Sequence, residues 1–489
     1  MYDVVIIGAG ITGSAAAYEL SRYRLSVAVL ERENDAAAGV TKANTGIIHA
    51  GYDPKPGTFM AWSNVEGNRL ARELCLKLDV PHSPCGSLVI SLSPEDDQHL
   101  KLLYDRGIQN GVEGLERLSA AEVLAAEPNI NPRVRGALLA RTAMVLSPWE
   151  YALALMETAK RNGTELYLST EVSAVERVGK TADKTAGETA DKTGFWRISA
   201  GAGIFETRFV VNAAGLQSDR IHNMAFPPAF TIKPGRGEYY LFDKSEGGVV
   251  NHVIFRCPGR LGKGVTVTPT VHGNLLVGPN FETPPEREDT STTRAGLEEV
   301  AGEAAVSVPG LRFGACIRTF AGIRPASDRD DFIVGEAGAG FFDLAGIKSP
   351  GLSAAPAVAK RLLHLLAERG LALKEKAAVC DTRKRLRFAS LPAEEKAALV
   401  KANPAYGRII CRCETITEGE ILAAFDSPLP PRTMDGVKRR CGPGMGRCQG
   451  SFCGPRVLEL LTRHFGAGAE TVLQDGEGSF VLAGAGHGL

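Results

Sequence analysis

The chain has no charge excess: 56 Lys and Arg residues balance 56 Asp and Glu residues, for a net charge of zero. Global charge therefore gives no sign of a nucleic-acid partner, and none is expected. No stretch approaches the roughly 20 apolar residues that a membrane span requires, although hydrophobic residues make up 44% of the chain. No leader is expected either. The first strand begins at Val4, almost at the initiator Met, so a cytoplasmic chain is expected. Peripheral contact with the inner membrane stays open. At 489 residues the chain is too long for one small core, and two or three domains are expected.

Ten cysteines are present, unevenly placed. Five are scattered at 75, 85, 257, 316 and 380, and five crowd into 411–453. Cytosolic thiols are normally reduced, so such a cluster favours metal or redox chemistry over disulfides.

The opening YDVVIIGAGITGSAAAYELSRYRLSVAVLER (2–32) reads as strand, helix, strand. Val4–Ile7 is a β-branched run suited to a buried parallel strand. Gly8, Gly10 and Gly13 form GxGxxG: the first permits a tight turn, the second lets backbone approach a pyrophosphate, and the third lets helix and strand pack closely. The helix N-terminus offers N–H groups to phosphate. Glu31, followed by Arg32, ends the second strand, where an acid can accept hydrogen bonds from a ribose diol. This unit predicts dinucleotide binding and by itself leaves FAD and NAD both open.

With further motifs the chain resembles the FAD-dependent oxidoreductases of the D-amino-acid-oxidase class, in order along some 380 residues. FVVNAAGLQSDRI (209–221) is similar to that family's strand and turn, with Ala214 and Gly215 near the flavin nucleotide. EVSAVER (171–177) is similar to the strand whose valine, here Val172, meets adenine through its backbone. AGIKSPGLSAAPAVAKRL (345–362) resembles the closing motif, implying that Gly351, Leu352, Ser353 and the following helix face the flavin. The resemblance implies FAD rather than NAD. GVTKANTGIIHAGYDPKPGTFMAWSNVEGNRL (39–70) resembles the corresponding segment of L-2-hydroxyglutarate and glycerol-3-phosphate dehydrogenases. It implies that His49 lies beside the flavin as a base, or as a group that only hydrogen-bonds cofactor or backbone, and that Asn44 and Thr45 position flavin. Neutral imidazole is the usual base near pH 7.

PGRGEYYLFD (234–243) and GKGVTVTPTVHGNLLVGPN (262–280) alternate apolar and polar residues and predict half-buried antiparallel strands roofing the flavin. At most one of Tyr239 and Tyr240 can face the site, and His252 and His272 read as structural. RTFAGIRPASDRDDFIVGE (318–336) contains Gly322 and Arg324 in GxRP, expected as a tight turn presenting the Arg to a carboxylate or phosphate. The resemblance gives Arg324 that contact, and Lys348 a place near flavin and substrate. The bland alternative for each is a surface ion pair. Arg318, Arg329 and the acids at 328, 330 and 331 read as a solvated charge run. KTADKTAGETADKTG (180–194) near-duplicates TADKT and reads as a lengthened hairpin turn.

In the tail, Cys411 and Cys413 form C-x-C, and Cys448 and Cys453 form C-x4-C. A structural zinc would also accept four thiolates, although its usual pairs are C-x2-4-C. The pattern CRCE…ITEGEI…KRR…GMGRCQGSFC resembles the [2Fe–2S] domain of the bacterioferritin-associated-ferredoxin type, implying that these four cysteines hold the cluster. Cys441 departs from that pattern, a fifth thiol for four positions.

The expected architecture is an α/β, Rossmann-like FAD-binding domain plus an α+β substrate domain with an antiparallel sheet, followed by a small, mostly helical Fe–S domain. The oxidoreductase spans 1–380, with FAD-binding parts at about 1–80, 145–225 and 315–370 and the substrate sheet at about 81–144 and 226–314. A linker at 381–406 leads to the [2Fe–2S] unit at 407–489. The expected activity is oxidation of a small anionic alcohol, with hydride passing to flavin and electrons leaving through the cluster to a partner subunit or quinone system. The resemblance leans to glycerol 3-phosphate. The alternatives are a 2-hydroxyacid, an amino acid or amine, or an electron-transfer subunit without a substrate of its own.

Overall fold

The computed structural model describes residues 1–179, 194–257 and 264–482. Its first sheet grows from the strand Tyr2–Ile7, whose Val4, Val5 and Ile6 are fully buried. Val27–Leu30 and Gly203–Asn212 run parallel to it on either side, and Glu165–Tyr167 extends the sheet beyond Val27–Leu30. Parallel strands covered on both faces need apolar residues on both, hence a continuous β-branched run rather than an alternation. The helix Ile11–Leu20 buries Ala15, Ala16, Ala17 and Leu20 and packs against the helices Pro148–Arg161 and Gly351–Glu368. Phe341–Ala345 joins parallel to the end of Gly203–Asn212. The antiparallel pair Val172–Val178 and Phe195–Ala200 completes that side. Residues 180–193 of the TADKT repeat lie outside the described residues.

The second sheet has eight strands in the order Cys316–Ser327, Ile232–Phe242, Leu275–Gly278, Thr266–Pro269, Val253–Arg256, Ser87–Ser91, Gly136–Ala140, Leu115–Ser119. Neighbours are antiparallel except Val253–Arg256 with Ser87–Ser91. The expected tight turn at GxRP is absent. Gly322, Arg324 and Pro325 lie inside the long strand Cys316–Ser327, opposite Gly237, Gly235 and Pro234. A Cβ on Gly322 would fall 2.0 Å from the Ala43 carbonyl oxygen, so this glycine serves a close backbone approach rather than a turn. Within 262–280, the strands Thr266–Pro269 and Leu275–Gly278 show near-continuous burial instead of the expected alternation. The helix Arg294–Ser307 covers the face that would otherwise be wet, packing Val300 and Ala304 on Val267, Leu275 and Val277.

The segment after the last long helix is held down. Arg383 bonds Glu157 at 2.6 Å, Arg385 bonds Glu150 at 2.8 Å and Arg387 bonds Asp79 at 2.8 Å. The tail then folds as three short helices, Glu418–Phe425, Met434–Cys441 and Gly454–Phe465, beside a two-stranded ribbon. Val457, Leu460 and Leu461 recur at helical spacing and meet Ile421, Phe425 and Val437 in a core of their own. A capping box at Thr417 and Glu420 starts the first helix.

The tail docks on the flavin-type unit through charge. Asp35, just after the second strand, receives Arg440 at 2.8 Å and Arg439 at 2.9 Å, and all three side chains are buried. Asp475 pairs with both Arg439 and Lys42. Among the described residues, no helix is long and apolar enough to cross a membrane.

Candidate active site and cysteine centre

A cavity of about 640 Å³ opens where the two sheets meet. Its walls include Gly8, Gly10, Glu31, Arg32, Thr45, His49, Val172, Ala214, Gly215, Gly322, Arg324, Lys348, Gly351 and Leu352, so stretches hundreds of residues apart converge there. Two residues singled out in the sequence stand behind the wall. A Cβ on Gly13 would lie 1.9 Å from the Gly8 carbonyl oxygen, so Gly13 permits the crossing of loop and helix. The Ser353 hydroxyl accepts the His49 backbone N–H at 2.8 Å.

The chemistry of these walls fits a dinucleotide. The helix Ile11–Leu20 begins at Gly10 without a side-chain cap or an acid in its first turn, and so does Gly351–Glu368 at Pro350. Two helix N-termini on one cavity, neither capped by its own N-cap side chain, present remaining N–H groups and positive dipole ends to anionic groups. Glu31 accepts the Ala9 N–H at 2.6 Å and the Glu33 N–H at 2.9 Å, and its carboxylate retains lone pairs for a diol. Burial raises the Glu31 carboxyl against those two backbone donors.

At the reactive end, His49 Nε2 lies 3.3 Å from the Ser349 hydroxyl, and its ring tilts against Phe255 at 5.7 Å. The His49 carbonyl receives Asn64 Nδ2 at 2.7 Å and Asn68 Nδ2 at 3.2 Å, both from the helix Phe59–Lys77. Arg324 donates to the Asn280 carbonyl at 3.4 Å, bonds Tyr239, and sits 5.5 Å above the Phe281 ring. Tyr239 is buried on the cavity wall and stacks on Phe320, while Tyr240 packs on Phe313 away from it. Neither Arg324 nor Lys348 makes an ion pair among the described residues. His252 bonds the buried Glu127 at 2.7 Å, and His272 stacks on Trp149.

Sequence reasoning missed several supports. Thr41 Oγ1 accepts the Ile11 N–H at 2.9 Å beside the cavity. The N-x-x-x-N spacing of Asn64 and Asn68 puts both on one helix face, a signal that was legible. The charge run at 328–331 is only partly solvated: the Asp331 carboxylate caps the helix Phe59–Lys77 through the Phe59 and Met60 N–H groups at 2.7 and 2.8 Å. That contact needs the chain to return 271 residues later, which no local pattern signals.

In the tail, four thiols gather as two pairs. Cys413 Sγ is 3.7 Å from Cys448 Sγ, and Cys411 shares a hydrogen bond with Cys453. The Cys453 contact holds the Cys411 thiol low, with help from the Gly444 and Glu414 N–H groups. Phe452 and Gly450 N–H groups lower Cys448. Among the described residues no three His, Cys, Asp or Glu side chains converge as a single ion would require. Two thiol pairs with backbone N–H donors suit two irons bridged by sulfide. Cys441 stands apart on the helix Met434–Cys441. Its Sγ bonds the Val437 carbonyl, and burial pushes its thiol up to about 12.

Cavity and cysteine centre together define a flavin- and iron–sulfur-type oxidoreductase. Residues 3–365 match the FAD dependent oxidoreductase (DAO) family, and residues 409–463 match the BFD-like [2Fe-2S] binding domain. The chain belongs to the FAD dependent oxidoreductase family and carries a [2Fe–2S] binding domain at its C-terminal end. It is 45% identical over 487 residues to a glycerol 3-phosphate dehydrogenase of Caloramator mitchellensis, covering 99% of this chain and 98% of that one. It is 31% identical over 381 residues to a glycerol 3-phosphate oxidase of Mycoplasma genitalium, covering 76% of this chain and 96% of the oxidase. Among solved structures, the dithionite-reduced, FAD-bound L-alpha-glycerophosphate oxidase of Mycoplasma pneumoniae superposes with a TM-score of 0.71 at 29% identity, covering 79% of this chain and 99% of that one. Nearly all of the M. genitalium oxidase is thus matched within three quarters of this chain, whereas the dehydrogenase matches along its whole length.

Proposed function

We propose that this chain is a glycerol-3-phosphate dehydrogenase whose electrons leave through the [2Fe–2S] domain to a partner protein. The observation that carries the reading is the pair of cations, Arg324 and Lys348, on the same cavity wall as His49 and without ion pairs among the described residues. A dianionic phosphate satisfies both, and a guanidinium gives it a two-pronged contact. With the phosphate held there, the substrate's secondary hydroxyl would face His49 Nε2 on the same cavity wall, and His49 would take the hydroxyl proton. Ser349 holds the ring, and Asn64 and Asn68 fix the backbone behind it. FAD, when bound, supplies the acceptor for the hydride from the same carbon, leaving a ketone. Gly8, Gly10, Glu31, Arg32, Val172, Ala214, Gly215, Gly351 and Leu352 would hold it; Thr45 and Gly322 would shape its reactive end. Cys411, Cys413, Cys448 and Cys453 would hold the cluster.

The tail favours a dehydrogenase. A cluster accepts single electrons and suits onward transfer, and 96% of the M. genitalium oxidase is matched by 76% of this chain. Relatives named L-2-hydroxyglutarate dehydrogenase match a shorter span, 30% identical over 285 residues for one from Escherichia coli, covering 57% of this chain. An anaerobic substrate screen tests the proposal. Glycerol 3-phosphate should bleach the flavin absorbance and produce a reduced-cluster signal by electron paramagnetic resonance. Bleaching by 2-hydroxyglutarate alone would replace the substrate, and no bleaching by any small alcohol or amine would leave an electron-transfer subunit.

A further inference from the structure

The cluster-binding loop places an aromatic ring in solvent. Phe452 lies between the ligand candidates Cys448 and Cys453, and 80% of its surface is exposed, the most of any large hydrophobic residue described. Its backbone N–H bonds the Cys448 thiol. The backbone thus anchors the residue at the cysteine centre while the ring marks the route outward. Burying a ring of this size is a strong contribution to binding, and exposing it costs an isolated chain solubility without any internal gain.

The cysteine-bearing segments also carry exposed charge, with arginines in excess. Arg412, between Cys411 and Cys413, and Arg456, in the first turn of Gly454–Phe465, are both exposed and make no ion pair among the described residues. Arg447 is exposed and pairs with Asp243 at 2.8 Å, and Glu414 is taken by Lys244 at 2.8 Å. Glu459, one turn further along, is the opposing exposed acid. Cys413 itself is exposed, so the centre approaches the surface here.

We infer that Phe452, Arg412 and Arg456 form the docking surface for a small acidic one-electron carrier protein. This rests on the reading of the tail as the exit for electrons. Electron-transfer encounters are small, below roughly 1,200 Å² in total, and depend on complementary charge for rate and register. A single exposed ring, with exposed arginines on the same cysteine-bearing segments, suits that scale. An anionic membrane surface fits less well: polybasic segments that hold such surfaces use about four to eight basic residues, against the two arginines without ion pairs among the described residues here.

The test measures binding by the full-length protein with both cofactors, so it does not depend on turnover. The probes are a plant-type [2Fe–2S] ferredoxin as acidic carrier, cytochrome c as basic carrier, and phosphatidylserine vesicles. Ferredoxin should bind, with Kd rising steeply with salt. Phe452→Ser and Arg456→Glu should each weaken it about tenfold or more, and cytochrome c should not bind. Iron content is measured for each variant, and Arg456→Glu lies outside the cysteine loop should Phe452→Ser disturb the cluster. Unchanged Kd in both variants, or absence of ferredoxin binding, overturns the inference. Vesicle binding that both variants abolish, without ferredoxin binding, assigns the surface to a membrane instead. Failure of glycerol 3-phosphate to bleach the flavin would overturn the substrate while leaving these binding results intact.

Discussion

Replacing Asp35 by Ala should release the cysteine tail from the flavin unit. Asp35 receives Arg440 through both carboxylate oxygens at 2.8 Å and Arg439 at 2.9 Å, with every side chain exposed by 5% or less. Hydrogen bonds to charged groups contribute about 1.5–3 kcal/mol each. The loss falls short of three such bonds, because Arg439 keeps Asp475 at 2.7 Å and Arg440 keeps the Leu429 and Gly436 carbonyls. What remains is the cost of orphaning buried charge, about 3–5 kcal/mol. At 1.4 kcal/mol per tenfold, the docked fraction relative to the undocked falls by roughly two to three and a half orders of magnitude. Hydrogen exchange of the helix Met434–Cys441 reads this directly: its amides should lose protection in Asp35→Ala, and less in Asp35→Asn, which keeps an acceptor oxygen. Burial raises the Asp35 carboxyl, but Arg440 and Arg439 outweigh it and hold it below its ordinary value. A carboxyl depressed in the folded state stabilises above its unfolded value of about 3.9 and loses that contribution as pH falls through the folded value. The gap between wild type and Asp35→Ala should therefore be full at pH 7 and close only below about pH 4. Unchanged exchange in the variant, or a gap that closes near neutral pH, would refute the charge-latch account.

Gly13→Ala puts a Cβ 1.9 Å from the Gly8 carbonyl oxygen, a backbone atom that cannot swing aside. Forced repacking of about 1–3 kcal/mol should appear as flavin lost on dialysis, read from the 450 nm absorbance per chain. Cys448→Ser should strip iron and labile sulfide. Cys441→Ala should keep both and lower the melting temperature by a few degrees, since it removes only a buried thiol from a helix. Iron retained in the first variant, or lost in the second, would reassign the ligands.

Local chemistry determined much of this protein on its own. Glycine spacing, a β-branched run and a terminal acid specify a strand–turn–helix–strand unit because each acts within a turn or two of itself. The mostly helical character of the tail was legible for the same reason: caps such as Thr417 and Thr433 and the apolar spacing of Val457, Leu460 and Leu461 are short-range signals. Tertiary structure decided the rest. Gly322 and Pro325 are turn-forming residue types yet lie, with Arg324 between them, in a strand, because the partner Ile232–Phe242 supplies a ladder that outweighs local preference. Arg439 and Arg440, placed with the cluster motif in sequence, face Asp35 some 400 residues away. Five cysteines within 411–453 divide into two facing pairs and one buried bystander, because helix Met434–Cys441 turns Cys441 into the core. Which charges meet across hundreds of residues depends on how finished units pack, and no local pattern contains that information.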